Sequence, residues 1–385
     1  MDVKKILGPS AAIAFVWFTT HFGGGFAAGR QLIDYYVNFG RYAAFLPFFS
    51  MLIVGIAFYY GWLYAIAHKT FDYASFGEKF YGNRAIAIVF EIAYIILLVV
   101  ATAVAFATGG EVIKDAIGTP YIINTIVIAV VIFFLTIYGA RVVRNAATSI
   151  AIIVIVGLVL IFGSNIIINF EGVSGVISAG ETNTGFGPAL WQMLLYVGFQ
   201  SFLFCACVAV AEPLKTKADA KKAATIGTLV NGLLVLLASI GILGYYPDIL
   251  AEEVPTLYVA ERGFGGLFAT YATSLLILLG VISTGVNLVF GGVKRIVSNF
   301  SKGNEANDRR TNIIASVLYV LLTWAIALLG LIWLIQIGYG YLGYVGLFLI
   351  VIPFIVKGVL KSKEWPIGDG YSNDDNSAGT EEEST

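Results

Sequence analysis

The chain has 385 residues, of which 58% are hydrophobic and 12% are charged, with a net charge of −1 and a mean hydropathy of +0.86. Soluble domains contain about 25% charged residues, so this composition predicts an integral membrane protein and excludes a sizeable soluble domain. The sequence has no basic patch of the kind that binds nucleic acid. Cys205 and Cys207 lie two positions apart and do not share a helix face, so neither a disulfide nor a metal site is expected.

Apolar runs of the length that crosses a bilayer, about 20 residues, occur ten times along the chain. They cover residues 8–38, 41–67, 84–113, 121–139, 145–168, 187–212, 219–246, 265–293, 311–334 and 338–358, here numbered spans 1 to 10. Of the 23 Lys and Arg residues, all but Arg30, Arg41, Lys114 and Arg262 fall on alternate connections. Because basic residues collect on the cytoplasmic side, this pattern predicts a multi-pass cell-membrane protein with both termini in the cytoplasm.

Ten spans can form two halves of five, and an odd number of spans per half makes the second half inverted relative to the first. We therefore predict an all-α fold with a first five-helix repeat at 1–170, an extracellular loop at 171–186 and a second repeat at 187–363. Residues 364–385 are polar and acidic, which is typical of a disordered cytoplasmic tail.

Three successive glycines, Gly23–Gly25, interrupt span 1, although each glycine costs roughly 1 kcal/mol relative to alanine inside a helix. Backbone groups freed within lipid must line a cavity or bind something. A matching break is expected in span 6, whose centre contains Gly198, Gln200 and Ser201. Close helix packing through small residues is the alternative for either break, and it is a reasonable explanation for Gly198 alone.

Several segments resemble the amino acid-polyamine-organocation superfamily. The stretch THFGGGFAAGR is similar to that superfamily's Gly-x-Gly break in helix one, and YVGFQSF with AEPLKTKADAKKAATIGTLV looks like its sixth helix and the cytoplasmic loop that follows. In span 3, EIAYIILLVV and ATGGEV resemble the YkvI-like group of uncharacterised bacterial permeases. The resemblance implies the five-plus-five inverted-repeat fold of the leucine transporter, with broken helices 1 and 6 and a solute site at the two breaks.

A broken span 1 offers N–H groups that suit a carboxylate and carbonyl groups that suit a cation. The candidate solute-binding residues are His21, Gly23, Gly24, Gly25, Tyr94, Tyr196, Gly198, Gln200 and Ser201. Tyr94 has packing as its alternative role. Many members of the superfamily have an acid where this chain has Gln200, so a cationic solute group is not expected to bind there.

Span 8 contains Gly280, Ser283 and Thr284 at positions i, i+3 and i+4, which share one helix face. The resemblance implies a sodium site here, because sodium-coupled members of this fold combine a carbonyl and two hydroxyls at that spacing with two helix-one carbonyls. By position, those carbonyls belong to Thr19 and Phe22. Oxygen ligands suit a small hard cation. The alternative is that both hydroxyls bond back to the preceding turn.

Four ionisable residues are candidates for a proton relay or a gate. His21 could couple transport to protons, or it could be a neutral, hydrogen-bonded histidine of the bundle. Glu91 could relay protons or pair with a nearby cation. Arg30 and Asp34 lie four apart, which predicts an ion pair at an outer gate. The connection 247–266 predicts a short amphipathic helix that begins at Pro255. The resemblance implies that this segment is a lid over the outer vestibule, and a plain surface loop is the alternative.

These patterns favour a secondary active transporter of an amino acid or a similar small organic solute, which works by alternating access and is coupled to sodium. Proton coupling through His21 and a non-transporting solute sensor remain as alternatives. The sequence contains two histidines and no cluster with catalytic or metal-ligand spacing, so an enzyme is not expected. A channel is disfavoured because no ring of like charges occurs. The expected partners are a small-molecule solute and membrane lipid, without nucleic acid and without a cofactor besides a coupling sodium ion.

Overall fold

Helices follow one another along the chain in the order that the apolar runs predict. The computed structural model describes residues 3–300 and 309–368. The observed bounds are Val3–His21, Gly24–Ala27 and Arg30–Tyr35 for span 1; Leu46–His68 for span 2; Arg84–Ile117 for span 3; Tyr121–Phe134 and Leu135–Gly139 for span 4; Ala140–Ile168 for span 5; Phe186–Ser201 and Phe204–Val208 for span 6; Lys217–Leu243 for span 7; Gly266–Phe300 for span 8; Arg309–Ala327 for span 9; and Leu331–Trp333, Leu334–Tyr339, Gly340–Gly346, Leu347–Val351 and Ile352–Lys361 for span 10. Within these ranges, nine helices are long and apolar enough to cross a membrane, and the interrupted span 1 completes the predicted ten.

Short helices connect the spans, and the described residues contain no strand. They are Val37–Ala44, Tyr73–Tyr81, Phe170–Ala179, Asp248–Ala251, Pro255–Arg262 and Ser362–Glu364. Local chemistry explains several helix starts. Span 7 begins at a capping box, in which the Thr216 hydroxyl accepts from the Asp219 N–H at 3.1 Å and the Asp219 carboxylate accepts from the Thr216 N–H at 3.0 Å.

Several packed pairs of spans are related as expected for two equivalent halves. Span 2 packs against span 7 and span 3 against span 8, so each of these contacts joins a helix to its own counterpart. Span 1 contacts span 7, and the counterpart pair, spans 6 and 2, is also in contact. Spans 3 and 4 pack together in the same way as spans 8 and 9. This pattern agrees with the predicted five-plus-five repeat, because each of these contacts recurs when both span numbers are shifted by five, with spans 1 to 5 exchanged for spans 6 to 10.

Two predicted boundaries were wrong. The sequence extends span 9 to residue 334, but the helix ends at Ala327 and span 10 begins at Leu331. Gly330 makes this turn with a φ of 90°, a conformation that glycine adopts readily. The predicted disordered tail begins at residue 364, but Trp365 is buried, with its ring centroid 5.4 Å from that of Tyr64. Its first residues, 364–368, therefore belong to the packed structure, and the rest of the tail lies outside the described residues.

Candidate functional site

The predicted break in span 1 is present. The first helix ends at His21, the Gly23 N–H donates to the His21 carbonyl at 2.8 Å, and a new helical turn begins at Gly24. The second half of span 1, which is the outer half in the predicted orientation, consists of two short pieces, because Gly29 adopts a φ of 84° between them. A helix dipole builds up along a helix, so pieces this short give less support to a bound carboxylate than the sequence suggested.

Span 6 differs from its expected form. We predicted a break at Gly198, Gln200 and Ser201, but the α-helix continues through Ser201 and is interrupted at Phe202–Leu203. The Phe202 and Leu203 N–H groups donate to the carbonyls three residues before them, at 3.3 and 3.1 Å. The helix is therefore tightened into 3₁₀ turns, which keep its backbone groups paired within the bilayer.

Gly198 brings spans 6 and 10 into backbone contact. A Cβ at this position would lie 2.0 Å from the Gly343 carbonyl oxygen, and a Cβ at Gly346 would lie 1.9 Å from the Gly198 carbonyl oxygen. The Ser201 hydroxyl donates to the Gly198 carbonyl at 2.6 Å. This geometry favours the packing alternative for Gly198, and it directs Ser201 toward the same helix interface.

A cavity of about 340 Å³ lies beside the break in span 1. Its walls are formed by Thr19, Thr20, His21, Phe22, Gly23, Gly25, Gln31, Tyr94, Leu97, Leu98, Ala101, Ile150, Ala151, Val154, Phe199, Gln200, Phe202, Leu203, Ala206, Gly280, Ser283, Thr284, Asn287, Leu288, Gly291 and Tyr339. None of these wall residues is Asp, Glu, Lys or Arg. The cavity extends toward the end of the bundle at which span 1 begins. Its wall includes Asn287, which lies in the second half of span 8, on that side, and is exposed.

Many of the predicted site residues meet in this cavity. His21, Gly23, Gly25, Tyr94 and Gln200 line it together with the five proposed sodium ligands, and Gly24 stands between two lining glycines. Tyr196, Gly198 and Ser201 are not among the wall residues, and neither are Glu91, Arg30 and Asp34. Glu91 is half-buried on span 3, and its two alternative roles stay predictions. Sequence reasoning missed Gln31, Asn287 and Tyr339, because helical spacing alone does not show which polar side chain faces a cavity.

The five proposed sodium ligands line the same cavity, from spans 1 and 8. Thr284 lies beside the break, since a Cβ at Gly23 would be 3.6 Å from its methyl carbon. Earlier in span 8, the hydroxyls of Thr270, Thr273 and Ser274 donate to carbonyls one turn back, at 2.6–3.1 Å. Among the described residues, neither Ser283 nor Thr284 makes such a bond. Their hydroxyls thus lack the back-bond of the structural alternative, and the sodium site itself stays a prediction.

His21 is buried in a hydrogen-bond network that joins three spans. Its Nδ1 lies 2.7 Å from Asn231 Oδ1 on span 7, and its Nε2 lies 2.8 Å from the Tyr196 hydroxyl on span 6. The Asn231 amide nitrogen donates to the Gly227 carbonyl at 2.8 Å, so its Oδ1 accepts from Nδ1–H. Nε2 then accepts from the Tyr196 hydroxyl. A neutral ring satisfies every partner, which fits the predicted hydrogen-bonded histidine of the bundle.

An ion-pair network lies between the cavity and the opposite, outer end of the bundle. The predicted pair of Arg30 and Asp34 is confirmed, with 2.7 Å between Nη2 and Oδ1, and both residues are buried. Arg30 Nη1 also donates to the Leu250 and Glu252 carbonyls at 2.9 and 2.8 Å. Gln336 Nε2 on span 10 donates to Asp34 Oδ1 at 2.9 Å. The network thus ties the outer half of span 1 to an outer loop and to span 10.

The predicted short helix at Pro255 is also present, and it covers the outer half of span 1. Helix Pro255–Arg262 buries one face, and the Thr256 N–H donates to the Ala28 carbonyl at 3.0 Å. A Cβ at Gly29 would lie 2.8 Å from the Thr256 hydroxyl oxygen. Next to this helix, burial and the nearby carboxyl group of Glu111 raise the pKa of Glu253 above its ordinary value. Helix Pro255–Arg262 is therefore held directly on the broken helix, and its role as a lid stays a prediction.

Comparison with known sequences gives one uncharacterised relative. No protein-family model matches the chain. The uncharacterized membrane protein YkvI of Bacillus subtilis strain 168 is 24% identical over 307 residues, which cover 77% of this chain and 84% of that protein. This similarity agrees with the resemblance to the YkvI-like group.

Solved structures with similar architecture are transporters. A Na⁺-coupled sialic acid symporter in a substrate-bound outward-open state aligns with a TM-score of 0.51 at 12% identity, covering 92% of this chain and 96% of that one. MhsT in complex with L-phenylalanine aligns with a TM-score of 0.60 at 11% identity, covering 90% and 87%. A manganese transporter of Eremococcus coleocola aligns with a TM-score of 0.51 at 14% identity, covering 94% and 80%. The chain therefore has the leucine-transporter fold of about ten helices.

Proposed function

We propose that this protein is a secondary active transporter of a small amino acid-like solute, coupled to sodium and located in the cell membrane with both termini in the cytoplasm. The observation that carries the proposal is the cavity at the break of span 1, where the two inverted halves meet. In inverted-repeat transporters, solute and coupling ion bind at this place, and the halves move to expose it on either side. The fold shared with known transporters supports the same conclusion.

The arrangement of the two sides supports alternating access. Toward the outer end, the Phe199 and Tyr339 rings stack at 4.0 Å between centroids, and the Arg30 network lies beyond them. Toward the opposite end, Asn287 is exposed within the cavity. A closed outer side and an accessible inner side are what one state of an alternating-access cycle requires.

Sodium is the proposed coupling ion because Ser283 and Thr284 line the cavity beside span 1. Among the described residues, their hydroxyls make no hydrogen bond within their own helix. A proton carried by His21 is the less favoured coupling, since the neutral ring already satisfies both of its neighbours. No charged side chain lines the cavity, so the solute is expected to have no net charge.

Transport into proteoliposomes tests the proposal directly. The purified protein would be reconstituted, and uptake of radiolabelled L-alanine, L-leucine and L-phenylalanine would be followed under an inward sodium gradient, with potassium as the control. We expect uptake of at least one of them only with sodium. Binding without uptake would identify a sensor, and uptake that ignores sodium but follows a pH gradient would exclude sodium coupling. Gly23→Leu, which fills the space beside Thr284, should abolish uptake.

A further inference from the structure

One buried polar group of the cavity wall is left without a partner. Gln31, in the outer half of span 1, is 4% exposed, and within the described part of the chain its Oε1 is buried without a hydrogen bond. Native proteins pair nearly all such groups, and an unpaired one calls for an explanation. Because Gln31 lines the cavity, rotation of its terminal torsion would present Oε1 to a bound solute, which can then supply the missing partner.

The position of the amide depends on a neighbouring glycine. A Cβ at Gly25 would lie 2.6 Å from Gln31 Nε2 and 3.2 Å from a methyl carbon of Val104. Any side chain at Gly25 would therefore push the amide from its place. One of the three glycines thus makes room for Gln31 at the edge of the break in span 1.

The chemistry of the amide selects one kind of solute head. An amide offers an acceptor oxygen and a donor nitrogen side by side, and its terminal torsion rotates broadly, so both atoms can adjust to a ligand. A zwitterionic α-amino acid carries a donor ammonium and an acceptor carboxylate on adjacent carbons. The head has no net charge, which suits a cavity whose walls contain no charged side chain. The remaining wall is largely apolar, as a hydrophobic side chain would require.

We infer that Gln31 is a specificity-determining residue that binds the zwitterionic head of the solute, with Oε1 accepting from the ammonium group and Nε2–H donating to the carboxylate. This inference rests on the proposed transport function. It adds a side-chain contact to the backbone groups that the break in span 1 offers.

The experiment compares whole amino acids with analogues that lack one half of the head. Calorimetric binding to the purified protein in sodium would be measured for L-alanine, L-leucine and L-phenylalanine. Each is paired with its amine (ethylamine, isopentylamine, phenethylamine) and its acid (propanoate, 4-methylpentanoate, 3-phenylpropanoate). The wild type is expected to bind at least one amino acid at least tenfold more tightly than either analogue. Gln31→Met should weaken the binding of that amino acid about tenfold or more, as expected for the loss of hydrogen bonds to charged groups. It should weaken the binding of the analogues less.

Control variants separate a binding role from a structural one. Gln192→Met makes the same chemical change outside the cavity and should leave affinity and preference unchanged. Gly25→Ala, which displaces the amide, should reduce the preference for the amino acid over its amine and its acid, as Gln31→Met does. The ligand-free Gln31→Met protein should melt at the same temperature as the wild type or higher, because an unpaired buried amide is removed.

The outcomes are distinguishable. If Gln31→Met binds the amino acid with wild-type affinity and preference, the role of Gln31 is refuted and the transport proposal stands. A wild type that binds the amine or the acid as tightly as the amino acid also refutes it. If the wild type neither binds nor transports any of the three amino acids, the proposed function itself fails, and this inference fails with it.

Discussion

His21 and Asn231, 210 positions apart in the chain, meet at 2.7 Å between Nδ1 and Oδ1 within the bundle. Together with Tyr196, this contact fixes the inner half of span 1 against spans 6 and 7. These contacts therefore join the helix that carries the break, in the first half of the fold, to two helices of the second half.

The first prediction concerns coupling through His21. Since the neutral ring satisfies its partners, transport should not depend on its titration. We expect His21→Gln, which keeps a donor and an acceptor, to retain the wild-type pH profile of solute uptake between pH 6 and pH 8. The unfolding free energy should fall by about 1–3 kcal/mol, because one partner loses its hydrogen bond. A pH profile that flattens in the variant would instead identify His21 as a proton carrier.

The second prediction tests the sodium ligands. Ser283→Ala with Thr284→Ala should weaken sodium binding at least tenfold, measured as the sodium concentration that half-activates uptake, because two oxygen ligands are lost. Thr273→Ala with Ser274→Ala is the matched control in the same span, since both hydroxyls bond back to the helix. Equal sodium dependence in the two double variants would remove the case for a site in span 8.

The third prediction concerns the outer network. Asp34→Asn leaves the Arg30 charge buried without its carboxylate, and removing one partner of a buried pair costs about 3–5 kcal/mol. The variant should favour states in which Arg30 reaches water, so the outer side should open more often. A cysteine at Tyr339 should then react faster with an impermeant thiol reagent added from the outer side. Cys205 and Cys207 are buried and should not interfere.

Glu261→Gln provides the comparison for this experiment. Glu261 pairs with Arg262, so this pair also joins a carboxylate to an arginine. Both side chains are exposed, and the pair therefore contributes about 0–1 kcal/mol to stability. The labelling rate should not change in this variant. Equal rates in Asp34→Asn and the wild type would show that the Arg30 pair does not control outer access.

The fourth prediction concerns the packing role of Gly198. Gly198→Ala places a methyl group 2.0 Å from the Gly343 carbonyl oxygen, so spans 6 and 10 must separate. We expect a loss of melting temperature of several degrees, even without solute. Gly187→Ala, in the same helix but with nothing within 4 Å, should be close to neutral. A Gly198→Ala protein of normal stability that has lost only solute binding would restore Gly198 to the solute site.

The fifth prediction concerns the lid. Gly29→Ala introduces both an unfavourable φ and a contact of 2.8 Å with the Thr256 hydroxyl, so helix Pro255–Arg262 should detach more readily. Hydrogen exchange in that helix should accelerate. Gly118→Ala has a similar φ of 71° with nothing within 4 Å, so it measures the backbone strain alone, about 1–2 kcal/mol. Unchanged exchange in Gly29→Ala would argue against a lid held by the Ala28–Thr256 contact.

Local patterns were sufficient for part of this structure. The glycine run, Pro255 and the spacing of Arg30 and Asp34 each act within a few residues, and each gave a correct prediction. The turn at Gly330 was missed because it lies in an apolar run, where hydropathy does not distinguish two helices from one. The tightened turn in span 6 was missed because it changes the helix only slightly: its hydrogen bonds join residues three positions apart, and those of an α-helix join residues four apart. The partners of His21 and the surroundings of the unpaired Gln31 amide oxygen depend on segments that are distant in the chain. Rules of residue spacing describe only residues that are close in sequence.

Span 10 contains two π-helical segments, Leu334–Tyr339 and Leu347–Val351. A π turn holds one residue more than an α turn, so converting it to α geometry would rotate the residues beyond it by about 100° and shift them by about 1.5 Å. Gln336 of the outer network and Tyr339 of the cavity wall lie in the same π segment. A change of helical pitch in this one turn would therefore alter the outer closure and the shape of the solute cavity together, without leaving a backbone group unpaired in lipid.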